Sequence, residues 1–66
     1  MQISINGKQE TVEAATVLDV LNVKEIDPQL VAVELNTEVV EREQLPTTTI
    51  KDGDKLEFLF YMGGGA

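Results

Sequence analysis

Residues 55–61 (KLEFLFY) carry the most apolar strand pattern in a chain of only 66 residues. Their alternation predicts a β-strand with two distinct faces. One face carries Leu56, Phe58 and Phe60, and the other carries Glu57, Leu59 and Tyr61. We expect the first face to anchor the strand in a core. A central place in a sheet would hide such a strand best, so the rest of the chain has to supply neighbours for it.

The first neighbour is an N-terminal hairpin. Ile3 and Ile5 alternate with polar residues, which is the period of a half-buried strand. Asn6-Gly7 is a strong two-residue turn signal, because both residues tolerate a positive φ. The return strand is predicted over residues 8–13, with Val12 as its main apolar residue.

One short amphipathic helix follows the hairpin. Thr16 is a candidate N-cap, and Asp19 lies three residues later, at the spacing of a capping box. Pro28 prevents the helix from continuing much past residue 27. The residues predicted to face the sheet lie on one side of the helix, with Lys24 extending along its end: Val17, Leu18, Val20 and Leu21.

Two more strands are predicted over residues 30–35 and 38–41, joined by a turn at Asn36-Thr37. Residues 41–45 have room for one helical turn before Pro46. Ile50 is expected to reach the core from an extended connection over residues 47–51, and residues 52–54 form a turn into the last strand.

One helix cannot cover both faces of a sheet this small, so the predicted class is two-layer α+β. We expect a mixed sheet of about five strands with the helix packed across one face. Pairing the first and last strands in parallel at the centre gives the β-grasp, or ubiquitin-like, fold. The domain is predicted over residues 1–62, and residues 63–66 form a flexible Gly-rich tail.

Charge and composition exclude several functions. The net charge of −7 argues against nucleic-acid backbones and anionic membranes, and it favours a basic protein partner, although it could also serve only solubility. The chain has no Cys and no His, so no thiolate or imidazole is available for catalysis or zinc binding. We expect a cytoplasmic protein without a membrane span that is monomeric when free.

The tail over Gly63, Gly64, Gly65 and Ala66 can be read in two ways. It could be a frayed end or a cloning remnant. Alternatively, a tail without side chains can enter a narrow channel and deliver its carboxylate there. That carboxylate reacts with nucleophiles only after activation, for example as an acyl adenylate. The chain has no Gly-rich phosphate loop, so it binds no cofactor itself, and another protein would have to bind the ATP.

Two stretches carry a family resemblance: VVEREQL at residues 39–45 and KDGDKLEFLFYMGGG at residues 51–65. With the order of elements, they resemble the sulfur carrier proteins of the ThiS group, which are relatives of the MoaD proteins and ubiquitin. The resemblance implies a protein cosubstrate rather than an enzyme. A ThiF/MoeB-type enzyme would adenylate Gly65 of the Gly64-Gly65 pair, and a sulfur donor would convert it to a thiocarboxylate. Thiazole synthase would receive the sulfur for thiamin.

Ala66 departs from the family pattern, in which carriers end at glycine. Some relatives have C-terminal extensions that a JAMM-type metalloprotease removes. The resemblance therefore implies removal of Ala66 before activation, although Ala66 could also be tolerated or be a cloning remnant.

Leu59 and Tyr61, with Val39 or Val40 nearby, are candidates for an exposed apolar docking patch, or else scattered surface residues. Four acids could suggest metal binding or a glycosidase-like pair of carboxylates, but a solvated face is the preferred interpretation: Glu34, Glu38, Glu41 and Glu43. Besides a thiamin carrier, two alternatives stay open. One is a carrier for cysteine, methionine or molybdopterin synthesis, and the other is a ubiquitin-like modifier or interaction module.

Overall fold

The strand β5 (Lys55–Phe60) lies at the centre of a five-stranded mixed sheet in a computed structural model that describes residues 1–61. The strand order is β2-β1-β5-β3-β4. The other strands are β1 (Gln2–Ile5), β2 (Lys8–Thr11), β3 (Val31–Leu35) and β4 (Glu38–Val40). β1 and β5 are parallel, and the other neighbouring pairs are antiparallel. The predicted β-grasp arrangement, with the first and last strands paired in the middle, is confirmed.

One helix, α1 (Val17–Val23), packs across one face of the sheet, and two 3₁₀ turns lie at Pro28–Leu30 and Arg42–Gln44. The core forms between α1 and this face. Ile50 reaches it from the connection before β5, as predicted. The buried apolar residues form one cluster: Ile3, Ile5, Val12, Val17, Val20, Leu21, Val31, Val33, Leu45, Ile50, Leu56 and Phe58.

The predicted capping box at the start of α1 is present. The Asp19 N–H donates to Thr16 Oγ1 at 3.2 Å, and the Thr16 N–H donates to Asp19 Oδ2 at 3.1 Å. At the other end, Lys24 forms an ion pair with Glu10 of β2. A helix of seven residues is too short to be stable alone, so its caps and its packing on the sheet hold it in place.

Thr16→Ala is expected to lower the free energy of unfolding by about 1 kcal/mol, because the Asp19 N–H loses its acceptor. Chemical denaturation measures the change. Thr16→Ser keeps the hydroxyl and serves as the control. Equal losses in the two variants would show that the methyl group, rather than the cap, stabilises this end of the helix.

Asn6 links the N-terminal hairpin to β5 through its side chain. β1 ends at Ile5, paired with Leu56, and the Asn6 N–H donates to the Leu56 carbonyl at 2.9 Å. The Asn6 side chain then continues the pairing. Its Oδ1 accepts from the Phe58 N–H at 2.7 Å, and its Nδ2 donates to the Phe58 carbonyl at 3.3 Å. One side chain thus replaces the next residue of a parallel strand and fixes the course of β5.

A second side-chain network fixes the start of β5. Asp54 is buried, and its carboxylate accepts from the Lys51 N–H at 2.7 Å and from Asn36 Nδ2 at 3.1 Å. Asn36 Oδ1 in turn accepts from the Lys55 N–H at 2.9 Å. Asp54, predicted only as a turn residue, therefore connects the turn before β5 to the hairpin between β3 and β4.

The expectation that Phe60 anchors β5 in the core is wrong. Phe60 does share a face with Phe58, but 55% of it is exposed. The reason is the short length of β1, which ends opposite Leu56. The Asn6 side chain extends the pairing only to Phe58, so Phe60 projects beyond the N-terminal hairpin. Leu56 and Phe58 provide the buried anchor.

Candidate functional site

The end of β5 is held against the start of β3. The Tyr61 N–H donates to the Leu30 carbonyl at 3.0 Å, which continues the antiparallel pairing by one residue beyond the strand. Tyr61 is the last described residue. The predicted tail, Gly63 to Ala66, lies outside the described residues, and in the sequence only Met62 separates it from this fixed end.

The face of the sheet away from α1 carries three large exposed apolar side chains, which we call the open-face patch: Val39, Leu59 and Tyr61. Their exposed fractions are 64%, 56% and 56%. Leu59 is paired with Ala32 and Val39 with Glu34, so β3 separates them by about 10 Å across the sheet. The small Ala32 side chain leaves the middle of the patch shallow. The predicted exposure of all three residues agrees with the structure, and their role in docking stays a prediction.

Val40, the alternative to Val39, faces the other way. It is paired with the buried Val33, and it packs against the core. The strand alternation therefore assigns only Val39 to the open-face patch.

Two acids lie directly opposite each other beside this patch. Glu34 of β3 is paired with Glu57 of β5, on the same face as Leu59. Like charges in this position destabilise a sheet slightly, so the pair gives the fold no benefit. It places negative potential next to exposed apolar surface, which is the chemistry that attracts a cationic side chain on a partner.

A groove of about 300 Å³ lies at the edge of the sheet where β4 ends. Its apolar walls come mainly from β3, β4 and Tyr61, and its charged lining comes from Glu41, Arg42 and Glu43. The groove borders the open-face patch, because Val39 and Tyr61 line both.

The four acids considered for metal binding do not converge. Glu34 lies on the open face, whereas Glu38, paired with Leu35, lies on the helix side. Glu41 precedes the 3₁₀ turn at Arg42–Gln44, and Glu43 lies within it. Within residues 1–61 no group of three or more acidic side chains is placed to hold a metal ion. No helix in the same range has the length and apolar character needed to cross a membrane.

Comparison with solved structures gives close matches. A crystal structure of the thiamine biosynthesis protein (ThiS) from Geobacter metallireducens superimposes with a TM-score of 0.83 at 46% sequence identity, covering 98% of this chain and 100% of that one. An NMR structure of a thiamine biosynthesis protein from the same organism gives a TM-score of 0.80 at 46% identity, covering 100% of this chain and 90% of that one.

The curated relatives are longer proteins. Thiazole synthase of Paramagnetospirillum magneticum is 37% identical over 67 residues, which span 100% of this chain and 21% of that protein. Thiazole synthase of Magnetococcus marinus is 35% identical over 66 residues, which span 98% and 20%. The chain thus covers about a fifth of the length of these relatives. The model of the ThiS family matches residues 2–65, nearly the whole sequence. The chain therefore belongs to the ThiS family.

Proposed function

We propose that this chain is a sulfur carrier of thiamin biosynthesis, whose Gly65 carboxylate is adenylated and then converted to a thiocarboxylate. The family match carries the proposal, because it runs over residues 2–65 and so includes Gly64 and Gly65. The described domain adds a rigid base, since Asn6 and the Tyr61–Leu30 hydrogen bond fix the end of β5 from which the tail continues.

The chemistry proceeds in two steps. First, a Gly65 carboxylate oxygen attacks the α-phosphate of ATP, and pyrophosphate leaves, which gives an acyl adenylate. Next, hydrosulfide supplied by a sulfur donor attacks the acyl carbon and AMP leaves, which gives the thiocarboxylate and releases one proton. The chain is a cosubstrate in both steps and not the catalyst. In this proposal a ThiF/MoeB-type adenylating enzyme supplies the ATP site, since the chain has no Gly-rich phosphate loop, and also the proton transfers, for which the chain offers no imidazole or thiolate.

A free carboxylate at Gly65 requires hydrolysis of the peptide bond between Gly65 and Ala66. We propose that a protease, for example one of the JAMM metalloprotease type, removes Ala66 before activation. A chain that ends at Gly65 should then be adenylated directly, whereas the chain that retains Ala66 should require the protease.

Thiazole synthase is the acceptor that the relatives favour. In two thiazole synthases, a region similar to nearly the whole of this chain occupies about a fifth of the protein. Covalent linkage raises the effective concentration of a carrier at the enzyme that it serves. A carrier-like region in the same polypeptide as thiazole synthase is therefore expected if such carriers serve that enzyme.

ATP-dependent pyrophosphate exchange tests the first step. The chain ending at Gly65, mixed with a ThiF/MoeB-type enzyme, should support exchange that depends on the carrier. Adding thiazole synthase together with its sulfur-accepting substrates to the thiocarboxylated product should transfer the sulfur and return the unmodified carboxylate. Return of the carboxylate only with a molybdopterin-, cysteine- or methionine-forming enzyme would change the pathway, and attachment to lysine side chains would support a ubiquitin-like modifier.

Leu59→Glu is expected to weaken binding to the adenylating enzyme about 10- to 100-fold, because it places a charge in the open-face patch beside Glu34 and Glu57. Isothermal titration calorimetry measures the affinity. The melting temperature should fall only slightly, since the Leu59 side chain is half-exposed and the added repulsion from Glu34 and Glu57 is small.

Gln9→Glu is the matched control for this variant. Gln9 is exposed on β2, and it is paired with Ser4 on the same face of the sheet. The Gln9→Glu variant adds the same charge at the far side of the sheet, and it should bind the adenylating enzyme with the original affinity. Equal affinities for the Leu59 and Gln9 variants would remove the open-face patch from the docking surface.

A further inference from the structure

Within residues 1–61, the hydrogen-bonding direction of β3 leaves the backbone groups of Val31 without a partner. The Tyr61 N–H donates to the Leu30 carbonyl, and the Asn36 N–H donates to the Lys55 carbonyl. In an antiparallel ladder, alternate residues form the hydrogen-bonded pairs. The even-numbered residues of β3 therefore bond to β5, and Val31 directs its N–H and carbonyl towards the β4 side.

β4 does not reach Val31. It ends at Val40, which is paired with Val33, and the chain then turns away into the 3₁₀ turn at Arg42–Gln44. Val31 lies outside the β3–β4 register, and its pair with Phe60 is of the non-hydrogen-bonded kind. No hydrogen bond outside the strand ladders involves it within residues 1–61, so there its N–H and carbonyl have no partner. Only 4% of Val31 is exposed. Buried backbone groups are nearly always hydrogen-bonded in folded proteins. The N–H and carbonyl of Val31 therefore point to a partner from outside the domain.

The groove at the end of β4 lies where that partner would fit. Val31 lines it, and its apolar walls include Ala32, Val39, Val40 and Tyr61. The N–H and carbonyl of Val31 can form hydrogen bonds with the carbonyl and N–H of an added extended chain. The apolar walls of the groove can then hold one apolar side chain of that chain.

The groove is also close to the tail. The start of β3 lies beside the end of β5, because the two strands are antiparallel and Val31 is paired with Phe60. A strand added to β3 here would lie about 10 Å from β5, two strand spacings away. A protein that receives the tail following Tyr61 therefore has its surface within reach of Val31.

We propose that the enzyme that adenylates the tail adds an extended segment to the sheet at Val31. This segment bonds to the Val31 N–H and carbonyl and places one apolar side chain in the groove. β3 is then flanked by β5 on one side and by β4 followed by the enzyme segment on the other. The contact would align the carrier with the active site through backbone bonds, in addition to the open-face patch. This inference rests on the proposed function, since it requires an enzyme that binds the tail.

Amide hydrogen exchange at single residues tests the inference. The ¹⁵N-labelled chain ending at Gly65 is exchanged alone and with a saturating ThiF/MoeB-type enzyme, and pyrophosphate exchange is measured on the same samples. In the free chain, the Val31 amide should exchange faster than the Val33 amide, which β4 covers. In the complex, exchange at Val31 should slow by about tenfold or more, while exchange at Gln9 of the distant β2 stays unchanged.

The two readouts separate the inference from the proposed function. Pyrophosphate exchange with no change at Val31 would overturn the added strand and leave the carrier function intact. Protection of Val31 already in the free chain would also overturn it, because the groove would then be filled by this chain's own tail or by a second copy. Absence of both binding and pyrophosphate exchange would overturn the carrier function and the inference together.

Discussion

Gly64→Val is expected to lower kcat/KM for adenylation of the chain ending at Gly65 by about 100-fold or more. Gly64 has no Cβ, and valine would add a branched side chain one residue before the reacting carboxylate. A channel that admits a glycine tail has no room for it, and small displacements of a reacting group cost large factors in rate. Pyrophosphate exchange with a ThiF/MoeB-type enzyme measures the effect.

The Gly64→Val variant should fold like the unsubstituted chain, because the core that residues 1–61 form is built from residues between Ile3 and Phe58. Gly64→Ala adds a single methyl group and should give a smaller loss. This graded series distinguishes a steric limit in the channel from a general loss of structure. Adenylation of the valine variant at the original rate would contradict the idea that the glycines serve to make the tail narrow.

Asn6→Ala is expected to lower the free energy of unfolding by about 2–4 kcal/mol. The variant loses both side-chain hydrogen bonds to Phe58, each worth about 0.5–1.5 kcal/mol. It also places alanine at a φ of 51°, which costs about 1 kcal/mol. A domain of this size has a total stability of about 3–10 kcal/mol, so the loss is large. Urea denaturation followed by circular dichroism measures it.

Asn6→Gly separates the two contributions. Glycine accepts the positive φ without strain but cannot bond to Phe58. It should therefore recover the backbone part of the loss and leave about 1–3 kcal/mol. A glycine variant as stable as the original would show that Asn6 acts only as a turn residue. Asn6→Asp keeps the acceptor for the Phe58 N–H and removes the donor to the Phe58 carbonyl. Its stability should therefore lie between that of the glycine variant and that of the original chain.

Local sequence patterns predicted most of the fold. The alternation in β5, the Asn6-Gly7 turn and the capping box of Thr16 and Asp19 are all encoded within a few residues. They required no knowledge of distant contacts, and the structure has each of them. The order of these elements was then enough to indicate the β-grasp arrangement.

Features that depend on the relative lengths of distant elements could not be predicted. Phe60 is exposed because β1 ends early. The Val31 N–H and carbonyl have no hydrogen-bond partner within residues 1–61 because β4 ends at Val40. The bonds between Asn6 and Phe58 span 52 residues, and no local pattern reveals them. Glycine would also suit the first position of the turn. The presence of asparagine at position 6 is therefore the signal that could have suggested a second role for this residue.

Local alternation also predicted part of the candidate site. The alternation in β5 places Leu59 and Tyr61 on the face away from the helix, and the structure has them there. The choice between Val39 and Val40 needed the register of β4 on β3. The groove could not be predicted, since it exists only because two strands of unequal length meet at the edge of the sheet.

The intact mass of the chain tests the central claim most directly. The chain ending at Gly65 is incubated with a ThiF/MoeB-type enzyme, ATP and a sulfur donor, and its mass is measured. We predict an increase equal to the replacement of one oxygen by sulfur, located by fragmentation at Gly65 and dependent on ATP. An unchanged mass with enzymes that thiolate other carriers, or attachment of the chain to lysine side chains instead, would contradict the account.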